Sequence, residues 1–178
     1  MSDYVPPKVG GVETHIYSLA VSLARRRHKV RRVLALTISL ELTGPAQVVI
    51  VTHAYPPKHG VRYLPFGVKV YYIPVHPLPP YHAQVTLPNF FTALPYLRDI
   101  FVREQADVVH AHAALSSLGM EAIMHARSMG IKAVFTDHSL FGIGNMAEIW
   151  GNKMLKGCLS DVEAVICVSH IGCVRSRS

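Results

Sequence analysis

The stretch Asp107-Val108-Val109-His110-Ala111-His112-Ala113-Ala114-Leu115 points to the architecture of this chain. A short apolar run ends in two histidines spaced by one residue. On a strand, side chains two apart share a face, so His110 and His112 can converge on one pocket at the strand's end. A second run, Ala133-Val134-Phe135-Thr136, ends the same way, in Asp137-His138-Ser139. Two apolar strands that each end in titratable residues predict a parallel α/β sheet. In such sheets ligands bind beyond the carboxyl ends of the strands.

Toward the N-terminus, Val12, Ile16, Leu19, Ala20, Leu23 and Ala24 form one apolar stripe at helical spacing. Gly10-Gly11 precedes this helix, where bare backbone N–H groups can approach a phosphate, although glycine pairs also serve turns. Glu13 lies in the first turn and favours the dipole; His15 caps or lines the loop. Val48 to Thr52 reads as a buried strand and Val68 to Ile73 as another, with a turn at Pro56 to Gly60 between them. Pro74 to Pro88 is a proline-rich loop. Asn89 to Glu104 is helical around Phe90, Phe91, Leu94, Leu97 and Phe101, with Pro95 starting a new helix or kinking one. A helix capped by Ser117 and closed by Gly130 follows the His110 strand; its Met120, Ile123, Met124 and Ala126 read as core. A loop with Gly142 and Gly144, a helix from Met146 to Leu159 and a strand from Val162 to Ser169 complete the order. The βαβα alternation predicts a doubly wound parallel sheet. Only Val30 to Gln47 fits no element, and it is far longer than a helix-to-strand connection of roughly 2–6 residues.

The chain has 178 residues, 50% hydrophobic and 16% charged, which suits one globular domain and excludes disorder. Three cysteines without framework spacing indicate reduced thiols in a cytosolic setting. No signal peptide is visible at the N-terminus. The most apolar window, Val33 to Thr52, is broken by Glu41 and Gly44-Pro45, so no membrane span is expected. The formal charge is +7. Arg25, Arg26, Arg27, Lys29, Arg31 and Arg32 cluster around His28, either as a solvated helix end or as a contact for acidic lipid headgroups. No nucleic-acid motif accompanies them, so nucleic acid is not expected as a partner.

Three groups converge on the expected rim: His15, His110 with His112, and Asp137-His138. They can form an acid/base or oxyanion-binding set. A single His-x-His without a partner of defined spacing gives no reason to assign a metal. Hydrogen-bonded strand ends without chemistry are the plain alternative. No Gly-x-Gly-x-x-Gly or P-loop pattern occurs, which argues against hydride transfer and nucleotide hydrolysis and calls for no cofactor.

Several segments together are specific. They are Gly10-Gly11-Val12-Glu13-Thr14-His15-Ile16-Tyr17, Val51-Thr52-His53-Ala54-Tyr55, Gly67-Val68-Lys69-Val70-Tyr71-Tyr72-Ile73-Pro74, Ile100-Phe101-Val102-Arg103-Glu104, His110-Ala111-His112 and Phe135-Thr136-Asp137-His138-Ser139-Leu140-Phe141-Gly142. They resemble the family of phosphatidylinositol N-acetylglucosaminyltransferase catalytic subunits, which open glycosylphosphatidylinositol (GPI) anchor synthesis. The resemblance implies the Rossmann-like N-terminal, acceptor-side half of a GT-B glycosyltransferase. It implies transfer of N-acetylglucosamine from UDP-N-acetylglucosamine to phosphatidylinositol with retention. The setting implied is the cytosolic face of the endoplasmic reticulum membrane, in company with other transferase subunits. By the same resemblance Gly10 and Gly11 approach the donor diphosphate. His112, with His110 beside it, orients or polarises the transferred sugar, and His138 is expected to be catalytic with them. His138, Asp137 and Ser139 line the cleft, as do Glu13 and His15.

The departures from the family pattern are informative. Only Met1 precedes Ser2-Asp3, where the family has an apolar strand. Residues 30–47 interrupt a seamless join of His28-Lys29 to Val48, as a retained intron translated in frame would. Residues 171–178 leave the family pattern, so residues 1–170 are expected to form the domain. By the resemblance, the donor-binding half and its membrane anchor are expected to lie outside the sequence, and this fragment alone is expected to be inactive. The segment carries net +1 and the tail +2 of the total charge, so the basic bias outside them is modest. The alternative is a non-catalytic interaction piece that docks on the other transferase subunits.

Overall fold

The computed structural model describes residues 11–25, 33–34, 47–55, 57–75, 90–112, 116–138, 153, 155–160 and 162–168. Among these, seven strands form one sheet: β1 (Val33–Leu34), β2 (Val48–His53), β3 (Gly60–Tyr63), β4 (Lys69–Ile73), β5 (Val108–His112), β6 (Lys132–Asp137) and β7 (Ala164–Cys167). Their spatial order is β3-β4-β2-β1-β5-β6-β7. All neighbours are parallel except β3 on β4. The fold is therefore α/β as expected, but its sheet is mixed. The antiparallel edge strand follows a tight turn bridged by Tyr55 and Lys58, which reverses the chain ahead of β4.

The central strands β2 and β5 are buried along their whole length, and both read as near-continuous apolar runs. Three helices are described in full: α1 (Gly11–Arg25), α2 (Phe90–Arg103) and α3 (Ser117–Ser128). The apolar stripe of α1 buries Ile16 and Ala20 against Val48, Ile50, Val70 and Tyr72. On the opposite face Leu97, Ile100 and Phe101 of α2 and Leu118, Ala122 and Ala126 of α3 cover Val49, Val51, Ile73 and Val109. Pro95 is accommodated inside α2 and is exposed. A third cluster joins Ile123 and Leu155 to Ala111, Ala133 and Phe135.

Two local readings change. The cap of α3 is Ser116, not Ser117: its Oγ accepts from the Gly119 N–H at 3.0 Å while Ser117 already has helical geometry. Gly130 closes the helix as expected, at φ 72°. Residues 30–47 fit no element by sequence, yet Val33 and Leu34 occupy the middle of the sheet. They pair with Val48-Val49 on one side and Val108-Val109 on the other. The expected Gly142/Gly144 loop, most of the helix from Met146 and the tail from 171 lie outside the described residues.

Candidate functional site

Strand alternation builds the site. Val109 and Ala111 of β5 pack under the helices α2 and α3, so His110 and His112 face the side that carries α1. Both are buried, His112 completely. On β6, Ala133 and Phe135 face the same way as Ala111, which turns Thr136 toward the histidines. The register places His112 opposite Thr136. His110 Nε2 lies 2.6 Å from Thr136 Oγ1, a hydrogen bond that fixes the ring plane. His112 packs against His110, with ring centroids 4.2 Å apart.

His138, one residue beyond β6, stacks on His112 at 5.2 Å between centroids and 22° between planes. His112 Nδ1 and His138 Nε2 are 2.9 Å apart. From α1, His15 reaches both, with centroids 5.7 Å from His112 and 5.0 Å from His138. It sits one residue before the buried Ile16, at the margin of the helix–sheet contact. Three separate elements thus meet in one imidazole cluster at the carboxyl ends of β5 and β6.

Burial sets the charge of the cluster. It pushes His110 down to about 3, with the neighbouring His15 and His138 acting in the same direction. It holds His112 still further below the usual histidine range, helped by His110. His138 is lowered by burial and by His15. At neutral pH these three rings are uncharged, and each offers one N–H and one acceptor nitrogen. Among the described residues, His112 Nε2 is buried without a hydrogen-bond partner. With Nδ1 engaged by His138, Nε2 is the atom left for a ligand.

The ring nitrogens of His15, His112 and His138 all lie within 4.8 Å of one another, close enough to share a metal ion. Two nitrogens bound to one tetrahedral zinc at ~2.0–2.1 Å would stand roughly 3.3 Å apart. The 2.9 Å between His112 and His138 is instead the spacing of a shared proton. As folded, His112 and His138 are joined by a hydrogen bond and His15 meets them through ring contacts.

The remaining expected residues fall as follows. Glu13 is half-buried in the first turn of α1, where its charge complements the helix dipole. Gly11 opens α1, and no described atom lies within 4 Å of where its Cβ would stand. Packing among the described residues therefore does not demand glycine there. Asp137 ends β6, buried, and its carbonyl accepts from the Val168 N–H at 3.3 Å. Gly10 and Ser139 lie outside the described residues.

One further position joins the site that the sequence motifs leave out, and a second lies on the same face of the sheet. Thr136 clamps His110. Thr52 lies near the end of β2 on the face of Val48 and Ile50, the same face as the histidines, and its Oγ1 is buried with no partner among the described residues. The signal for both is shared: each closes an apolar run at a strand's carboxyl end. His53 beside Thr52 is structural: Nδ1–H donates to the Val75 carbonyl at 2.5 Å and ties β2 to the segment after β4.

Comparison with known proteins fits this arrangement. The sequence profile described as PIGA (GPI anchor biosynthesis) matches residues 53–145, which hold β5, β6 and the histidines at their ends. The chain is 43% identical over 170 residues to the gpi3 subunit of phosphatidylinositol N-acetylglucosaminyltransferase from Schizosaccharomyces pombe, covering 96% of this chain and 33% of that protein. It is 41% identical to the corresponding transferase subunit from Homo sapiens, covering 96% and 31%. It is 44% identical to the one from Arabidopsis thaliana, covering 96% and 33%. The chain spans about a third of the length of these curated relatives. By the profile and by these identities, the chain belongs to the PIGA family of GPI anchor biosynthesis.

Proposed function

We propose that this chain is the acceptor-side half of a GT-B enzyme that moves N-acetylglucosamine from UDP-N-acetylglucosamine to phosphatidylinositol with retention. The supporting relatives are named as subunits of that transferase. The carrying observation is His112 Nε2, buried and without a partner among the described residues, at the carboxyl edge of a parallel strand pair. In α/β sheets this edge is where ligands bind.

The chemistry follows from charge. A neutral imidazole forms no ion pair with a diphosphate, but it can donate to or accept from a sugar hydroxyl. His112 then orients the transferred sugar and polarises it, and is not a nucleophile. His110 and His138 hold its plane and its proton. At Gly11, which opens α1, and at Gly10 before it in sequence, the donor's diphosphate meets backbone N–H groups. Glu13, His15, Asp137 and Ser139 line the cleft. The site needs no metal or cofactor for this work. The parent enzyme acts at the cytosolic face of the endoplasmic reticulum with the other transferase subunits, and no described helix here is long and apolar enough to cross a membrane.

A two-domain cleft has two walls, so the 178-residue chain alone gives no transfer. Residues 30–47 are a retained intron translated in frame; a mature message that normally carries these codons would refute that. In the full-length enzyme, His112→Ala lowers kcat/KM for sugar transfer about a hundredfold or more, as loss of an oriented polar group at a reacting centre does. Unchanged transfer would discard the site. A non-catalytic docking role would instead leave complex assembly sensitive to surface changes and indifferent to His112.

A further inference from the structure

The edge of the sheet farthest from β7 has a composition that the transfer reading does not use. All four residues of β3 are exposed. Tyr63 is 70% exposed and Phe66, in the 3₁₀ turn Pro65–Gly67 that follows, is 57% exposed. Val61 is exposed beside them. Phe66 holds φ 65°, a conformation that favours glycine, so an aromatic ring is kept in water at a position that strains its backbone. The guanidinium of Arg25 lies 4.4 Å from the centre of that ring. Arg62 shares the strand, and Lys58 approaches the ring of Tyr72 at 6.0 Å. Residues 42–98, which include this edge, contain no aspartate or glutamate, and Glu104, which reaches Lys69 and Tyr71 of the adjacent β4, is buried and paired with Lys69.

Charged residues on an edge strand commonly guard against pairing with another chain. Arg62 does that, and a strand of four residues that begins at Gly60, φ 72°, and is soon followed by Pro65 is a poor template for a further strand. Guarding does not require Tyr63, Phe66 and Val61 in solvent. Exposed aromatic rings interleaved with cations, in a stretch without carboxylates, match one environment: the headgroup layer of an anionic bilayer. Rings settle at the boundary between acyl chains and water, and cations meet phosphates.

We propose that the β3 edge and the turn at Phe66 dock edge-on on an anionic lipid surface, with Arg25, Lys58, Arg62 and Phe66 toward the α1 face of the sheet and Val61 and Tyr63 toward the other. This goes beyond the transfer reading and does not depend on it. The test mixes the full chain with phosphatidylcholine vesicles, with and without phosphatidylserine, and measures partitioning by sedimentation. The chain binds the anionic vesicles, less so as salt rises, and Lys58→Gln and Arg62→Gln each weaken binding about fivefold. Phe66→Asn removes the ring while suiting the left-handed backbone, so thermal unfolding stays at or above the parent value while binding falls on the order of tenfold. Equal binding to neutral vesicles overturns the proposal, and so does parental binding by these variants. If they spare vesicle binding but release a partner protein on purification, the edge is a protein contact and the proposal fails. No sugar is transferred in this assay, so its failure leaves the His112 reading untouched.

Discussion

His112 Nδ1 and His138 Nε2 share one proton across 2.9 Å, which links the ends of two neighbouring parallel strands. One ring must donate and the other accept. The choice at Nδ1 fixes His112 Nε2 in turn: when His138 donates, Nε2 carries the proton and faces a ligand as a donor. Protonating both rings would set two N–H groups against each other. The pair therefore accepts at most one extra proton, and burial favours the uncharged state.

The two rings should act as a unit. In the full-length transferase, His138→Ala costs about tenfold in kcat/KM, because His112 keeps its place but loses its preferred tautomer. The double variant with His112→Ala is no worse than His112→Ala alone. Additive losses in a double-mutant cycle would separate the residues into independent roles.

Stability should fall on mild acidification. His110 sits at about 3 in the folded chain, and His112 is also depressed, against an ordinary value near 6.5. Below about pH 6.5 the unfolded chain binds protons that the folded chain refuses. Stability is then complete above that pH and declines by up to ~1.4 kcal/mol per pH unit per buried histidine as pH drops. Urea unfolding between about pH 7 and 5 measures the slope, which His110→Gln should reduce by roughly one histidine's share.

Ser116 caps α3 through its bond to the Gly119 N–H. Ser116→Ala should cost about 1 kcal/mol and lower the melting temperature by about 2–4 °C. Ser117→Ala should cost less, since Ser117 lies inside the helix. Equal effects would show that the cap contributes nothing.

Glu104 is buried just after α2, and one carboxylate oxygen accepts from Lys69 Nζ at 2.5 Å and from the Tyr71 hydroxyl. The hydrogen bond to Glu104 raises Lys69 well above its ordinary value. Glu104→Leu should destabilise the chain by about 1–3 kcal/mol, because the Tyr71 hydroxyl loses its acceptor and Lys69 its counter-charge. Chemical denaturation of the variant and of Tyr71→Phe compares the two losses.

Much of the fold is written locally. The stripe of α1, the apolar runs of β2, β5 and β6, and the glycine that ends α3 each follow from spacing alone. β3 escapes such a reading because Gly60-Val61-Arg62-Tyr63 is too short and too polar on one face to signal a strand. It pairs only because the turn at Tyr55 and Lys58 returns it to β4. Val33–Leu34 escapes because two residues carry no period. Their place is set by Val48 and Val108 on either side, the second of them far off in sequence.

The candidate site divides in the same way. Residue order was enough to put His110 and His112 on one strand face and Asp137-His138 at the end of the next, since alternation needs only a period of two. It was also enough to mark the glycine pair and His15 at a helix start. Folding in three dimensions brought His15 from α1 onto rings some hundred residues away, gave His112 its proton-sharing partner, and set Thr136 against His110. The physical reason is burial. Spacing fixes where a side chain points, but the packing of distant elements removes water, and removing water decides which imidazoles stay neutral and which nitrogen remains for a ligand.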